Sequence, residues 1–150
     1  MQKEVLEKVG MEKSCSVKDP VVLGSRRTKD EEGAKVNATM HKQLIWSFIY
    51  LTTTRPNLTY EVSLISIFMA SPTELHLQAT KRVLRYLKDT VDLGVIYRKR
   101  GNGELIVYSD NDYARDIDDK KSTFGYVFLL SDGAVSWSSK KTTCSYFVHY

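Results

Sequence analysis

Cysteine, proline and long apolar runs are scarce in this 150-residue sequence. Its two cysteines, Cys15 and Cys144, lie far apart and outside any C-x-x-C spacing, which excludes a zinc knuckle. Two unpaired thiols, the interpretation we favour, and one long-range disulfide both stay open. The longest near-apolar stretch, 44–51, falls well short of the roughly 18 residues that a membrane span requires. The N-terminal residues alternate in charge without an apolar segment, so we expect neither a cleaved signal peptide nor a membrane partner.

The sequence also has little excess of charge of either sign. Lysine and arginine total 22 against 18 acidic residues, and the resulting net charge of +4 is compatible with a polyanion partner without demanding one. The 42% hydrophobic and 11% aromatic content is too high for a disordered chain. A chain of this length fits one compact domain or two small pieces, and it needs no metal or disulfide to fold.

Helical periodicity dominates the chain up to about residue 90. It predicts a short helix over 2–13, a second from about Met40 to the stop at 55–57, and a third that Asn57 would cap. The apolar stripe of the third helix consists of Leu58, Val62, Ile65 and Met69. Residues 71–74 read as a capping box in which Ser71 and Glu74 satisfy each other's amides, opening a helix to about Lys88. Residues 14–37 are predicted to be an extended connector.

The sequence period changes from 3.6 to 2 after Asp89. Strands are predicted over 93–99, 104–109, 122–130 and 134–138, with tight turns at 101–103 and 131–133 and a polar loop at 110–121. The fold class is therefore α+β. Three to four helices in residues 1–90 precede an antiparallel β-meander in residues 91–150.

Acidic residues cluster after the predicted strand at 105–108. Asp110 would stand at the end of that strand, where a rigid carboxylate suits Mg²⁺. One strand-end carboxylate cannot build the two-ion site that phosphodiester cleavage generally uses. The spacing of Asp110, Asp112 and Asp116 also lacks the glycine and distal glutamate of an EF-hand. A solvated acidic turn is the alternative, and it is the interpretation that spacing alone favours.

Four cations share one side of the last predicted helix: Lys81, Arg82, Arg85 and Lys88. They could neutralise the phosphates of a nucleic acid. The alternative is an ordinary solvated face, since lysine and arginine are good helix formers. The histidines are isolated, with His41 and His76 on helices and His149 in the tail, so no Ser-His-Asp arrangement can be argued.

Five collinear blocks of this sequence resemble the Pol polyprotein of copia-type LTR retrotransposons, in the family's order and spacing. They are FIYLTTTRPN (48–57), ATKRVLRYLK (79–88), YSDNDYA (108–114), KSTFGYVF (121–128) and AVSWSSKK (134–141). The resemblance implies that residues 1–90 are the C-terminal, connection-like part of a reverse transcriptase. Residues from 91 onward would then be the start of a ribonuclease H domain.

The resemblance also implies that the active sites are incomplete. The polymerase aspartates of the family lie upstream of this region. The first metal ligand of the ribonuclease H part matches Asp110, and the next is a glutamate in a pattern like S-S-T-E-A-E-Y, expected soon after Lys141. This sequence instead reads TTCSYFVHY over 142–150. We expect an incomplete Mg²⁺ site, no cofactor, no intact catalytic residues and no hydrolysis.

The sequence departs from the family pattern at three further positions. Arg115 stands at a usual Gly, Phe124 at a usual small Ser, and Trp46 at a usual Gly, where it would displace or overpack a neighbouring helix. The meander would lack its covering helix. We therefore expect an apolar face, an open edge and self-association in the C-terminal third.

A second resemblance concerns the tetrapeptide Arg82-Val83-Leu84-Arg85, which fits the R-x-L-R signature of secreted oomycete effectors. In that family the signature precedes an acidic element, whereas here the acidic residues 30–32 come earlier in the chain. This alternative implies secretion into a plant host cell, a host protein as partner, and suppression of defence or cell death. The retrotransposon alternative places the chain in the cytoplasm or nucleus.

Overall fold

The computed structural model describes residues 7, 9–11, 13–21, 29–30, 32–98, 102–112 and 121–142. The chain divides into two compact units, residues 1–96 and 97–150. The described part of the first unit contains helices α1 (Ala38–Leu51), α2 (Thr59–Ser66) and α3 (Glu74–Asp89), with a 3₁₀ turn at Pro56–Leu58. The described part of the second contains strands β1 (Leu105–Asp112), β2 (Ser122–Leu130) and β3 (Gly133–Thr142). The predicted α+β class is confirmed.

Helix α1 begins two residues earlier than predicted because Asn37 caps it. The Asn37 side chain accepts a hydrogen bond from the Met40 amide at 3.1 Å, which satisfies one of the unpaired amides of the first turn. The apolar side chains of α1 that face the core, Leu44, Ile45, Phe48 and Leu51, are buried. Trp46, in contrast, is 63% exposed, so the expected overpacking of a neighbouring helix is wrong. None of the described helices combines the length and apolarity needed to cross a membrane.

The segment after α1 corrects the prediction that Asn57 is an N-cap. Pro56 opens a 3₁₀ turn that contains Asn57, and the Asn57 amide group donates to the hydroxyl of Tyr86. Helix α2 therefore starts only at Thr59. The predicted stripe of this helix is otherwise confirmed, and Met69, beyond the end of α2, still packs against the core.

The N-cap of α3 is Thr73 and not the predicted Ser71. The Thr73 amide donates to Nδ1 of His76 at 3.0 Å, and the Thr73 side chain accepts from the His76 amide. The two residues form a capping box two positions later than expected. Ser71 is exposed, and Glu74 is the first helical residue instead of the partner of the cap.

Pairing with the connector explains this displacement of the helix start. The Val36 amide donates to the Pro72 carbonyl at 3.1 Å, and the Glu74 amide donates to the Ala34 carbonyl at 2.9 Å. These bonds hold Thr73 in extended backbone, with φ −110° and ψ 175°. A helix cannot include a residue in that conformation, so α3 begins after it.

The core of the first unit lies between the three helices. Its buried members are Leu44, Ile45, Phe48, Leu51, Leu58, Val62, Ile65, Val83, Leu84, Tyr86 and Leu87. The helix predicted over 2–13 lies mostly outside the described residues, although Val9 and Met11 pack against this core.

The second unit is a meander with strand order β1-β2-β3, antiparallel throughout. Strand β2 has its predicted bounds, and β3 continues past the predicted end at 138. Ser131 and Asp132 connect β2 to β3 with φ of 48° and 70°. Two positive φ values are typical of the two-residue turn that matches the twist of paired strands.

Residues 93–98 do not form the predicted first strand of the meander. A hairpin at 101–103 would use the backbone groups on either side of it for pairing. In the structure the Gly103 amide instead donates to Oγ of Ser131 at 2.9 Å, and the Glu104 carbonyl accepts from the Ser131 amide at 3.1 Å. The Glu104 bond extends the β1–β2 ladder beyond the Leu105–Leu130 pair, and residues 99–101, at the start of the predicted turn, lie outside the described residues.

Candidate functional site

Asp110 lies inside β1 and not at its end. Pairing of β1 with β2 continues to Asp112, and Asp110 pairs with Gly125. Asp110 is exposed. The predicted loop start at 110 is wrong because the ladder to Gly125, Phe124 and Thr123 extends the strand.

The part of the chain that the structure describes places no group of metal ligands around Asp110. Within the described ranges, no group of three or more His, Cys, Asp or Glu residues could hold a metal ion. Two-ion catalysis needs several carboxylates from different elements around the ions. Asp116, Asp118 and Asp119 lie outside the described residues, as does Arg115.

Two of the four cations predicted on α3 bind the backbone of the connector. Nε of Arg85 donates to the Cys15 carbonyl at 2.7 Å, and Nζ of Lys88 donates to the Ser14 carbonyl at 2.8 Å. The Val17 amide donates in turn to the Arg85 carbonyl at 3.4 Å. The structure thus brings the predicted basic face together and places the connector against part of it.

The other two cations have different surroundings. Nζ of Lys81 lies 3.8 Å from a carboxylate oxygen of Glu74, with both side chains about half exposed, a geometry that contributes little stability. Nε of Arg82 is buried and makes no hydrogen bond. Val83 and Leu84 are fully buried in the core, so the R-x-L-R tetrapeptide lies within a packed helix.

Sequence reasoning missed a buried polar cluster made by His41, His76 and Thr80, all fully buried. The Thr80 hydroxyl donates to the His76 carbonyl at 3.0 Å, and its oxygen lies 3.1 Å from Nε2 of His41. Because that hydroxyl proton is already committed, Nε2 of His41 must carry the donated proton. The His76 ring stacks on Phe68 with centroids 4.1 Å apart. This cluster joins α1 to α3.

The cluster lowers the pKa of His41. Burial is the larger cause, and the neighbouring His76 lowers it further. Nδ1 of His41 is buried and makes no hydrogen bond, so a proton added there would gain no acceptor. A group held neutral and out of solvent is suited to joining helices and not to acid–base chemistry on a substrate. The sequence signal that could have revealed this cluster is the occurrence of polar residues among the apolar residues of the helices.

Arg55 of the first sequence block forms a second set of polar bonds, to residues just beyond the second block. Nη2 of Arg55 donates to the carbonyls of Thr90 at 2.6 Å and Val91 at 3.2 Å, at the C-terminus of α3. Burial lowers the pKa of Arg55, although a guanidinium stays charged at neutral pH. Its positive charge lies at the C-terminus of α3, where it interacts favourably with the negative end of the helix dipole.

Comparison with known proteins shows that this α+β chain resembles retrovirus-related polyproteins encoded by transposons. The Pol polyprotein from transposon RE1 of Arabidopsis thaliana is 47% identical over 103 residues, which are 69% of this chain and 7% of that protein. The Pol polyprotein from transposon RE2 of the same plant is 38% identical over 138 residues, 92% of this chain and 10% of that protein. This chain belongs to the copia-type retrotransposon Pol polyprotein family.

Another relative, with a different name, is the secreted RxLR effector protein 161 of Plasmopara viticola. It is 44% identical over 98 residues, which are 65% of this chain and 69% of that protein. This chain spans at most about a tenth of the RE1 and RE2 polyproteins. No protein-family profile and no solved structure matches it, and the ribonuclease H likeness of the meander stays a prediction.

Proposed function

We propose that this chain is a non-catalytic fragment of a copia-type Pol polyprotein. Residues 1–90 correspond to the end of the reverse transcriptase and residues 91–150 to an incomplete ribonuclease H part. The supporting observation is the position of Asp110, exposed on β1 and outside any metal-holding cluster of the described residues. The sequence over 142–150 also lacks the glutamate pattern of the family. The proposal assigns no cofactor and places the fragment in the cytoplasm or nucleus.

A cleavage assay tests this proposal. The purified chain and its Asp110→Asn variant are incubated with an RNA–DNA hybrid and either Mg²⁺ or Mn²⁺, and labelled RNA is resolved on a denaturing gel. We expect both proteins to leave the RNA intact, because two ions cannot be held by one carboxylate. Cleavage by the wild-type chain that disappears in Asp110→Asn would overturn the proposal.

The identity to an RxLR effector favours a second candidate function, that of a secreted effector acting on a host protein. Val83 and Leu84 are fully buried within α3, which argues against recognition of the R-x-L-R tetrapeptide as an exposed linear motif. Expression in plant cells with a cell-death readout separates the two functions. The fragment proposal predicts no suppression of cell death. Suppression by the wild-type chain that is lost in Arg82→Gln, with the fold intact by circular dichroism, would favour the effector.

A further inference from the structure

Residues 14–17, which we call the strap, lie along the basic side of α3. Two carbonyls of the strap, those of Ser14 and Cys15, accept hydrogen bonds from Lys88 and Arg85. The strap's Val17 amide donates back to the Arg85 carbonyl. The strap is therefore bound through its backbone, and its recognition by α3 depends on two cationic side chains.

Apolar residues of the N-terminal segment anchor the strap at both ends. Met11 precedes it and Val17 ends it, and both pack against the core of the first unit. A turn shapes the chain between them, since the amide and the hydroxyl of Ser14 both donate to the Met11 carbonyl, at 3.1 and 2.7 Å. The strap thus has a defined conformation on the helix.

We propose that the strap masks a phosphate-binding surface formed by Arg85 and Lys88, and that a nucleic-acid backbone competes with the strap for these two side chains. Carbonyl oxygens carry partial charge, whereas phosphate oxygens share a full negative charge and form the stronger charge-assisted hydrogen bonds with arginine and lysine. The strap contributes no acidic residue, because it reads Ser-Cys-Ser-Val. A phosphodiester backbone is therefore the better-matched partner once the strap is released.

Loosening the strap tests this competition. Val17→Asn weakens the apolar anchor without changing the net charge, and Ser16→Asn is the matched control, since Ser16 is the exposed neighbour. Binding to a short labelled DNA duplex is followed by fluorescence anisotropy at several salt concentrations. We expect tighter binding by Val17→Asn only. Each additional phosphate that the variant neutralises steepens the plot of log affinity against log salt by about 0.9. With two more phosphates neutralised, its affinity falls about tenfold further than that of the wild type between about 50 and 200 mM salt.

The contribution of the two cations is tested in the same variant. Adding Arg85→Gln and Lys88→Gln to Val17→Asn should return both the affinity and the salt slope to those of the wild-type chain. A gain that persists without these side chains would assign the binding to another surface and overturn the proposal. This result is independent of the cleavage assay, which tests the proposed lack of catalysis.

A spin label on Cys15, in a Cys144→Ser background, reports whether the strap is bound. We expect an immobile label in the wild type and in Ser16→Asn, and a mobile label in Val17→Asn, in Arg85→Gln/Lys88→Gln, and in the wild type saturated with DNA. A mobile label with unchanged affinity and salt slope would overturn the masking proposal. A label that stays immobile both in Val17→Asn and in Arg85→Gln/Lys88→Gln would show that these side chains do not hold the strap on α3, and would also overturn the proposal. Val17→Ala replaces Val17→Asn if the latter loses its helical circular dichroism.

Discussion

At the scale of single residues, polar side chains connect the buried faces of the helices. His41 donates to Thr80 from Nε2, while its Nδ1 is buried without an acceptor. Protonation would place a charge on a fully buried ring whose Nδ1 has no hydrogen-bond acceptor. The lowered pKa of His41 therefore links the stability of the helical unit to pH.

We expect the chain to lose stability as the medium becomes acidic. The unfolded chain takes up a proton at His41 near its ordinary pKa of about 6.5, whereas the folded chain does so only at lower pH. The full stability is present above that value. It falls as pH drops below it, by up to about 1.4 kcal/mol per pH unit. Urea unfolding between about pH 7 and 5 measures this slope.

His41→Gln provides the test of that slope. Its amide can still donate to Thr80 and does not titrate, so the unfolding free energy should depend less on pH than in the wild type. Lys42→Gln, on the exposed side of α1, is the control and should keep the wild-type slope. Identical slopes for His41→Gln and the wild type would show that another group causes the acid sensitivity.

Arg55 gives a prediction of a different kind, because its role is to satisfy carbonyls at the end of α3. Arg55→Gln should destabilise the chain by about 2 kcal/mol, since the Thr90 and Val91 carbonyls lose a charged donor. Lys81→Gln removes a cation from an exposed ion pair and should change stability by no more than about 0.5 kcal/mol. Urea unfolding at neutral pH compares them. Equal effects of the two substitutions would contradict the role of Arg55.

At the scale of elements, helix α3 shows how pairing between distant segments overrides a local signal. Residues 71–74 carry a sequence typical of a capping box, yet the bridge between Lys35 and Thr73 moves the helix start to Glu74. Such a bridge joins residues far apart in the chain. A local sequence pattern cannot reveal it.

The position of this cap can be measured directly. Thr73→Ala removes the hydroxyl that donates to Asp30 and that accepts from the His76 amide, and should destabilise the chain by about 1–2 kcal/mol. Ser71→Ala, two residues earlier and exposed, should cost less than about 0.5 kcal/mol. A larger loss for Ser71→Ala in urea unfolding would show that the helix begins where the sequence pattern predicted.

The strands show which parts of the fold the sequence could predict. Strand β2 was predicted at its observed bounds because it pairs with a sequence neighbour through a two-residue turn. The stretch 93–99 has the same alternation, yet its described residues 93–98 form no strand, which the alternation alone could not reveal. The His41–Thr80 contact was missed because its residues are 39 positions apart, beyond the reach of a local sequence pattern.

At the scale of the whole molecule, the chain comprises two units with different kinds of surface. The helical unit encloses its own core. In the second unit, β1 and β2 carry exposed apolar side chains that the register places on one face of the sheet: Leu105, Val107, Phe124 and Leu130. Such a face favours association with other chains.

We expect the chain to self-associate through this sheet face. Its sedimentation coefficient should rise with protein concentration, and Val107→Lys should reduce that rise because a charge on the face must be desolvated on association. Asn102→Lys adds the same charge outside the strands and serves as the control. A wild-type chain that sediments as a monomer at every concentration would contradict this expectation.

The family relationship explains the sequence blocks without requiring an activity. Arg55 and Asn57 of the first block bind Thr90 and Tyr86, at and beside the second block, so these residues hold the helical unit together. The third block contributes Asp110, the residue to which the resemblance assigns metal binding. We expect this carboxylate to hold no pair of ions.

Electron paramagnetic resonance of Mn²⁺, used in place of Mg²⁺, shows how many ions the chain binds and whether they lie side by side. Titration of the ion into the wild-type chain and into Asp110→Asn counts the bound ions in each. We expect equally weak binding by the two proteins and no spin coupling between neighbouring ions. Two coupled Mn²⁺ ions bound to the wild-type chain, and lost in Asp110→Asn, would contradict this expectation.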